Sequence, residues 1–182
     1  GFAVHPLVQQ LLAEHDGRLP VEVVFDRALH DPQHGYYARR AAISAGGDFT
    51  TAAQFHSAMA KSIARWCKTH RATVLTGGQW HVIEVGLGTG RLASDVCRNL
   101  PWLARRGLHY HLVETSPHLA AQQQALLLKK ASRGWLPRPT LDWHTSVSAA
   151  LAAADGTALI YSNELVDAFA PVVLRSIGGQ WQ

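Results

Sequence analysis

The N-terminal part of the chain repeats apolar residues with the period of an α-helix. Three segments before residue 75 follow this pattern, at about 4–15, 20–30 and 52–69. The positions of the second segment that we expect to face inward are Val23, Val24, Ala28 and Leu29. In the third, Phe55, Met59, Ile63 and Trp66 form one stripe, which is more typical of a core than of a ligand contact. The sequence therefore predicts an N-terminal helical region over residues 1–75.

After residue 76 the pattern changes to short apolar runs that alternate with helical segments. The runs predict strands at 80–85, 109–114, 140–143 and 158–161, followed by a strand at 171–175 and a hairpin turn at Gly178-Gly179. This alternation predicts an α/β fold with a doubly wound, mainly parallel sheet over 76–182. Four core strands and half a hairpin are few for such a sheet, so we expect the chain to be the N-terminal portion of a longer protein.

Composition narrows the class of protein. Apolar residues make up 47% of the 182 positions and charged residues 16%, which is typical of a globular chain and not of a disordered one. No apolar run approaches the roughly 20 residues that span a bilayer. The net charge of +4 is scattered along the chain, so we expect neither a nucleic-acid nor a membrane partner.

Cysteines and histidines do not indicate a metal centre. Cys67 and Cys97 fall on predicted helix faces without C-x-x-C spacing, which favours reduced core thiols. His109 and His111 share a strand face, and the chain has 11 histidines in all. Because no cysteine or carboxylate lies nearby at ligand spacing, we predict no metal site.

A glycine-rich turn follows the first strand. Glu84 stands near the end of that strand, and Gly86, Gly88 and Gly90 follow with the spacing G-x-G-x-G. Glycine lets a ligand approach the backbone closely, and the helix that follows directs its N-terminus at the same place. The dinucleotide fingerprint G-x-G-x-x-G needs a small residue where Arg91 stands, and the Gly-Lys-Ser/Thr of a P-loop is absent.

The G-x-G-x-G spacing after an acid is the form that S-adenosylmethionine-dependent methyltransferases use. The sequence therefore predicts a nucleoside site with contacts from Glu84, Gly86, Gly88 and Gly90. A glycine-rich turn that binds no ligand is the alternative.

Glu114 closes the next predicted strand. In a β-α-β unit an acid at this place can accept hydrogen bonds from both ribose hydroxyls. Ser116-Pro117 then predicts the start of a helix, with serine as the N-cap and proline in the first turn. A carboxylate that merely favours the helix start is the alternative interpretation of Glu114.

Polar residues follow the fourth predicted strand. Asn163, Glu164 and Asp167 are candidates for the transfer site, because open α/β sheets bind ligands at the carboxyl ends of their strands. A loop with helix-capping acids is equally compatible with this pattern.

A second candidate loop lies ahead of the third helical segment. Gly47, Asp48, Phe49 and Thr50 fit a tight loop that could close over a ligand. Asp48 or Thr51 as a simple N-cap of the following helix is the alternative.

Taken together, these segments resemble the MidA-like family of S-adenosylmethionine-dependent methyltransferases, through nearly the whole chain. The segments that resemble family motifs are 28–37, 47–51 (GDFTT), 84–90, 110–117, 143–144, 163–171 and 178–181. Val85 replaces a leucine of the family pattern, and one extra residue precedes Pro171.

The resemblance implies a Rossmann-like class I methyltransferase core, partial in this chain, over 76–182, with an N-terminal helical cap over 1–75. It implies S-adenosylmethionine as cofactor, a GDFTT loop that helps to close the site, and an adenine flanked by residues near His144. Mitochondrial members methylate arginine on a respiratory complex I subunit, so a protein acceptor is expected, in a bacterial cytoplasm or a mitochondrial matrix. A non-catalytic assembly protein with the same fold is the main alternative, and Arg91 disfavours a nicotinamide-dependent oxidoreductase.

Overall fold

Four strands of the chain form a parallel sheet. The computed structural model describes residues 5–35, 50–166 and 169–181, and within them four strands pair in the order β3-β2-β1-β4. These strands are β1 Trp80–Val85, β2 Leu108–Val113, β3 Thr140–His144 and β4 Leu159–Ser162. The order reverses at β1, which pairs in parallel with both β2 and β4. The predicted α/β fold with a parallel sheet is confirmed, and strand ends differ from the predicted ones by a residue or less.

Helices precede the sheet and connect its strands. In chain order they are α1 Pro6–Glu14, α2 Val21–His30, α3 Thr50–Val74, α4 Arg91–Asn99, α5 Trp102–Arg105, α6 Pro117–Gly134 and α7 Val147–Ala153. The predicted serine cap is confirmed at α6, where Ser116 accepts a hydrogen bond from the Leu119 N–H, and Ser146 caps α7 in the same way. No helix in the described ranges is both long enough and apolar enough to cross a membrane.

The two faces of the sheet have different cores. One face packs against α3, α4 and α6, and its buried residues include Trp80, Val82, Leu108, Tyr110 and Leu112. The other packs Ile83 and Val113 against Ala150 of α7. Met59, Ile63 and Trp66 of α3 pack against the first core, as their helical stripe predicts. Cys67 and Cys97 are buried and free, as expected, and burial raises the pKa of the Cys67 thiol to about 12.

The chain divides into two units, residues 48–165 with the sheet, and residues 1–47 together with 166–182. The second unit holds α1, α2 and an antiparallel hairpin of β5 Ser176–Ile177 and β6 Gln180–Trp181. The predicted strand at 171–175 is wrong, since these residues form no regular structure. The predicted inward face of α2 is wrong at two of its four residues, since Val24 is 41% exposed and Ala28 is also exposed, whereas Val23 and Leu29 are half-buried.

The turn after α2 lies within the motif segment 28–37. Asp31 accepts hydrogen bonds from the backbone N–H groups of Gln33 and His34, and the His34 bond is the main reason that the pKa of Asp31 is lowered. A Cβ at Gly35 would lie 2.6 Å from the backbone of Asp31, so only glycine closes this turn without a clash. Asp31 and Gly35 of this motif segment therefore stabilise the turn that ends α2.

A carboxyl group and an imidazole are buried in the sheet, one on each face. Glu84 is 2% exposed and accepts hydrogen bonds from the hydroxyls of Tyr110 and Tyr161 at 2.7 and 2.6 Å. Burial raises its pKa to about 7, although both tyrosine bonds act against this shift. His111 is 1% exposed, and burial, together with the neighbouring His144 and His81, lowers its pKa to about 4.

The pH dependence that Glu84 gives to the free energy of unfolding should oppose that of His111 between about pH 4.5 and pH 6.5, where both contributions change. A raised pKa for Glu84 means stability that is fully present below the unfolded-state value of 4.5 and lost as pH rises through about 7. A lowered pKa for His111 means stability that is present above 6.5 and lost as pH falls through about 4. We expect Glu84→Gln to make the slope of the free energy of unfolding against pH more positive, because it removes the falling contribution. His111→Gln should make this slope more negative, and each slope should change by up to about 1.4 kcal/mol per pH unit.

Urea unfolding across this pH range measures both slopes. Exposed Glu22→Gln and His56→Gln are the matched controls, and they should follow the unmodified protein. Parallel curves for Glu84→Gln and the unmodified protein would show that the buried carboxyl does not titrate as described.

Candidate functional site

The carboxyl ends of the four strands bring the predicted site residues to one edge of the sheet. Gly86 follows β1, Glu114 follows β2, and Asn163 follows β4, while His144 is the last residue of β3. The register pairs Val85 with both Val113 and Ser162, so these ends lie side by side. The strand order reverses at β1, which is where open parallel sheets form a ligand crevice.

The three glycines of the turn differ in what surrounds them. All have positive φ angles, of 74° at Gly86, 54° at Gly88 and 76° at Gly90. A Cβ at Gly86 would lie 2.6 Å from the Leu165 side chain, and one at Gly90 would lie 3.3 Å from Gln123 Cγ. A Cβ at Gly88 would meet nothing within 4 Å. Packing accounts for Gly86 and Gly90, whereas only Gly88 offers bare backbone to open space.

Helix α4 begins immediately after this turn. Gly90 is its N-cap in the left-handed conformation, and Arg91 is its first residue. The helix is fixed by an apolar face, since Leu92, Ala93, Val96 and Cys97 are buried. The dipole of this helix favours an anionic group beside the turn.

Glu114 is half-buried and held from both sides. Its Oε1 accepts the Ser116 N–H at 2.9 Å, and its Oε2 accepts the Gln123 side-chain N–H at 3.0 Å. Its backbone N–H donates to the His144 carbonyl at 2.9 Å, which continues the pairing of β2 with β3. An ionised carboxylate has about four acceptor positions, so two remain for hydroxyl groups.

Gln123 is a residue of this site that the sequence interpretation missed. Its side chain is fully buried and bonds to the Gly88 carbonyl, to Glu114 and to the Trp143 indole N–H. It lies on the same stripe of α6 as the buried Leu127 and Ala131. A polar residue in an otherwise apolar helical stripe was the available signal.

Glu84 makes its contacts within the core. The tyrosines that bond to it come from β2 and β4, the two neighbours of its own strand. Direct contact between this carboxyl and a ligand stays a prediction.

Asn163 and Glu164 stand at the crevice edge directly after β4. Asn163 is half-buried and Glu164 is exposed, and Glu164 has a φ of 49°. A left-handed conformation is costly for a glutamate, and such strain is often found at functional positions. Asp167 lies outside the described residues.

His144 packs on the face of the sheet that α7 covers. Its Nε2 lies 2.9 Å from Nδ1 of His111, and His111 Nε2 lies 2.9 Å from Nδ1 of His81. Burial lowers the pKa of His81 as well. The contact of His144 with adenine stays a prediction.

The predicted GDFTT loop is largely outside the described part of the chain. Gly47, Asp48 and Phe49 belong to the undescribed residues, and Thr50 is the first residue of α3. Among the side chains that the structure describes, no three histidine, cysteine or acidic groups are placed to hold a metal ion.

The sequence matches a family model described as "Putative S-adenosyl-L-methionine-dependent methyltransferase" over residues 60–182. The mitochondrial protein arginine methyltransferase NDUFAF7 homolog of Drosophila melanogaster is 28% identical over 192 residues, covering 97% of this chain and 43% of the relative. The mitochondrial protein arginine methyltransferase NDUFAF7 of Danio rerio is 30% identical over 115 residues, covering 61% and 27%. The chain thus spans less than half the length of these curated relatives.

Two crystal structures of Burkholderia thailandensis proteins are similar in fold. An uncharacterized protein has a TM-score of 0.63 at 26% identity, over 96% of this chain and 42% of its own. A second protein, bound to S-adenosyl-homocysteine, has a TM-score of 0.55 at 28% identity. The match covers 77% of this chain and 36% of that protein. The resemblance inferred from the motifs is confirmed. Because the family model matches well over half of the sequence, the chain belongs to this family of S-adenosyl-L-methionine-dependent methyltransferases.

Proposed function

We propose that the protein binds S-adenosylmethionine in the crevice and transfers its methyl group to a protein acceptor, with arginine as the side chain. One observation carries the proposal. The half-buried Glu114 carboxylate and the open Gly88 backbone lie within hydrogen-bond reach of the same Gln123 nitrogen, at 3.0 and 2.9 Å. The Glu114 carboxylate, which can accept hydrogen bonds from a sugar diol, therefore lies next to the Gly88 turn, where a ligand can approach the backbone closely.

The residues present fit such a ligand. Gly88 leaves open the space that a side chain would fill, and the N-terminus of α4 favours the carboxylate of the amino-acid end. The outer positions of the Glu114 oxygens accept the two ribose hydroxyls. When bound, S-adenosylmethionine supplies a methyl group on a positively charged sulfur, which needs little activation by the protein.

Asn163 and Glu164 are the residues that would orient the methyl acceptor. The exposed Glu164 carboxylate forms charge-assisted hydrogen bonds with a guanidinium. The half-buried Asn163 beside it limits the orientations that this guanidinium can take. In the transfer a new N–C bond would form as the S–C bond breaks and its electron pair stays on sulfur. The proton that the guanidinium nitrogen then loses would pass to the Glu164 carboxylate or to water. A carboxylate beside it stabilises the positive charge until the proton leaves.

The names of the relatives support the proposed acceptor and compartment. The curated proteins from fly and zebrafish are named mitochondrial protein arginine methyltransferases. Their names support a protein acceptor, arginine as its methylated side chain, and a mitochondrial place of action.

Glu114→Gln should weaken binding of S-adenosyl-homocysteine by at least about tenfold. The substitution replaces an acceptor of the ribose hydroxyls with an amide whose N–H₂ meets a donor in either orientation, the Gln123 side-chain N–H or the Ser116 N–H. Isothermal titration calorimetry measures the affinity, and exposed Glu22→Gln is the matched control. Equal affinity in both variants would count against the ribose contact.

Gly88→Ala should also weaken this binding, since its methyl group projects into the space left for the ligand. Gly78→Ala is the matched control, because Gly78 has a φ of 83° and equally open surroundings but lies before β1, at the opposite end of the strand. Both variants carry a similar left-handed strain of about 1–2 kcal/mol. A comparable loss of affinity in both would exclude a specific role for the Gly88 backbone.

Glu164→Gln should lower the rate of methyl transfer to arginine-containing proteins by about tenfold or more, with affinity for S-adenosyl-homocysteine unchanged. Transfer of labelled methyl groups followed by amino-acid analysis identifies the acceptor. Asp155→Asn is the matched control, an exposed acid that shares the φ of 49°. Strong cofactor binding without methylated product from any protein mixture would favour a non-catalytic assembly role instead.

A further inference from the structure

We propose that Gln123 is the positioning residue of this site, which fixes the Glu114 carboxylate for recognition of a ribose 2′,3′-diol and joins it to the glycine turn. This inference rests on the proposed function, because it assigns a role within the same crevice.

The hydrogen bonds of Gln123 allow only one orientation of its amide. The Gly88 carbonyl and Glu114 Oε2 can only accept, and both face Nε2. The Trp143 indole N–H can only donate, and it faces Oε1 at 3.2 Å. A flipped amide would place donor against donor and acceptor against acceptor. Both N–H groups and the oxygen are therefore paired inside a fully buried side chain.

This arrangement fixes the carboxylate plane of Glu114. Each of its oxygens receives one N–H from the protein, Oε1 from Ser116 and Oε2 from Gln123. Rotation of the carboxylate would break both bonds. The free acceptor positions that remain, one on each oxygen, match a pair of adjacent hydroxyls better than a single one.

Gln123 also links this acid to the turn. The same nitrogen that bonds to Glu114 bonds to the Gly88 carbonyl, so the two parts of the crevice keep a fixed separation. Gly90 makes room for this side chain, since a Cβ there would lie 3.3 Å from Gln123 Cγ. The third glycine of the motif thus leaves room for the Gln123 side chain, in addition to allowing the φ of 76° at this position.

No similar side chain reproduces these contacts. Leucine has the size but would leave the Trp143 N–H and the Gly88 carbonyl without this partner. Glutamate would set a carboxylate against two acceptors unless it carries a proton. Gln123→Leu therefore removes the hydrogen bonds at any pH, whereas Gln123→Glu can restore a donor only when the introduced carboxyl carries a proton.

The experiment compares two ligands in Gln123→Leu and in the control Gln122→Leu, whose residue is the exposed neighbour on the same helix. S-adenosyl-homocysteine and its 2′-deoxyribose counterpart are titrated into each purified protein by calorimetry. We expect Gln123→Leu to reduce the preference for the ribose form by roughly fivefold or more, and the control to retain it. An equal loss of affinity for both ligands in Gln123→Leu would overturn the proposal, because a purely structural role weakens them alike.

A second variant tests the donor role directly. In Gln123→Glu, affinity for S-adenosyl-homocysteine should be low at about pH 8 and recover towards about pH 5, where the introduced carboxyl can carry a proton and donate. The unmodified protein and Gln122→Glu define the ordinary pH profile, and a profile of Gln123→Glu parallel to theirs would overturn the proposal. If the unmodified protein fails to bind S-adenosyl-homocysteine at all, the proposed function itself fails, and this role for Gln123 fails with it.

Discussion

The buried contact of Glu84 with Tyr110 and Tyr161 joins the three strands on which the crevice depends. Glu84 belongs to the central strand β1, and the tyrosines come from β2 and β4 on either side. The sheet order reverses at β1, so this contact ties the two halves of the sheet together. Burial opposes ionisation and raises the pKa of Glu84 to about 7, while the two hydroxyl donors offset part of the desolvation of the carboxyl group. The acid of the glycine motif thus has a structural reason to be present.

Local signals predicted the elements that carry the site, and long-range contacts decided how its side chains are used. The strand before Gly86 and the Ser116 cap could be read from neighbouring residues alone. The partner Tyr161 lies 77 residues after Glu84, and the carbonyl bonded to Gln123 lies 35 residues before it. No periodicity encodes such distances. This is why Glu84 could be placed on its strand but not assigned its tyrosines, and why Gln123 was not predicted.

The wrong predictions have a related cause. Residues 171–175 have the β-branched composition of a strand, but they form no regular structure. The strand pairing begins directly after them, where Ser176–Ile177 pairs with Gln180–Trp181. The apolar stripe of α2 is real as a pattern, yet Val24 within it is 41% exposed. Strand propensity and helical amphipathicity describe what a segment can pack against, and they do not supply the neighbour.

The histidines of the sheet show how the second face supports the crevice. A neutral imidazole donates through one nitrogen and accepts through the other, so the row His81–His111–His144 links the tautomers of three rings. Both nitrogens of His111 are engaged with other rings, and its pKa of about 4 keeps it neutral near pH 7. The row ends at His144, whose backbone carbonyl accepts the Glu114 N–H. Glu114 is therefore fixed through its main chain by β3 and through its side chain by Gln123, so the position of the proposed ribose acceptor depends on both β3 and α6.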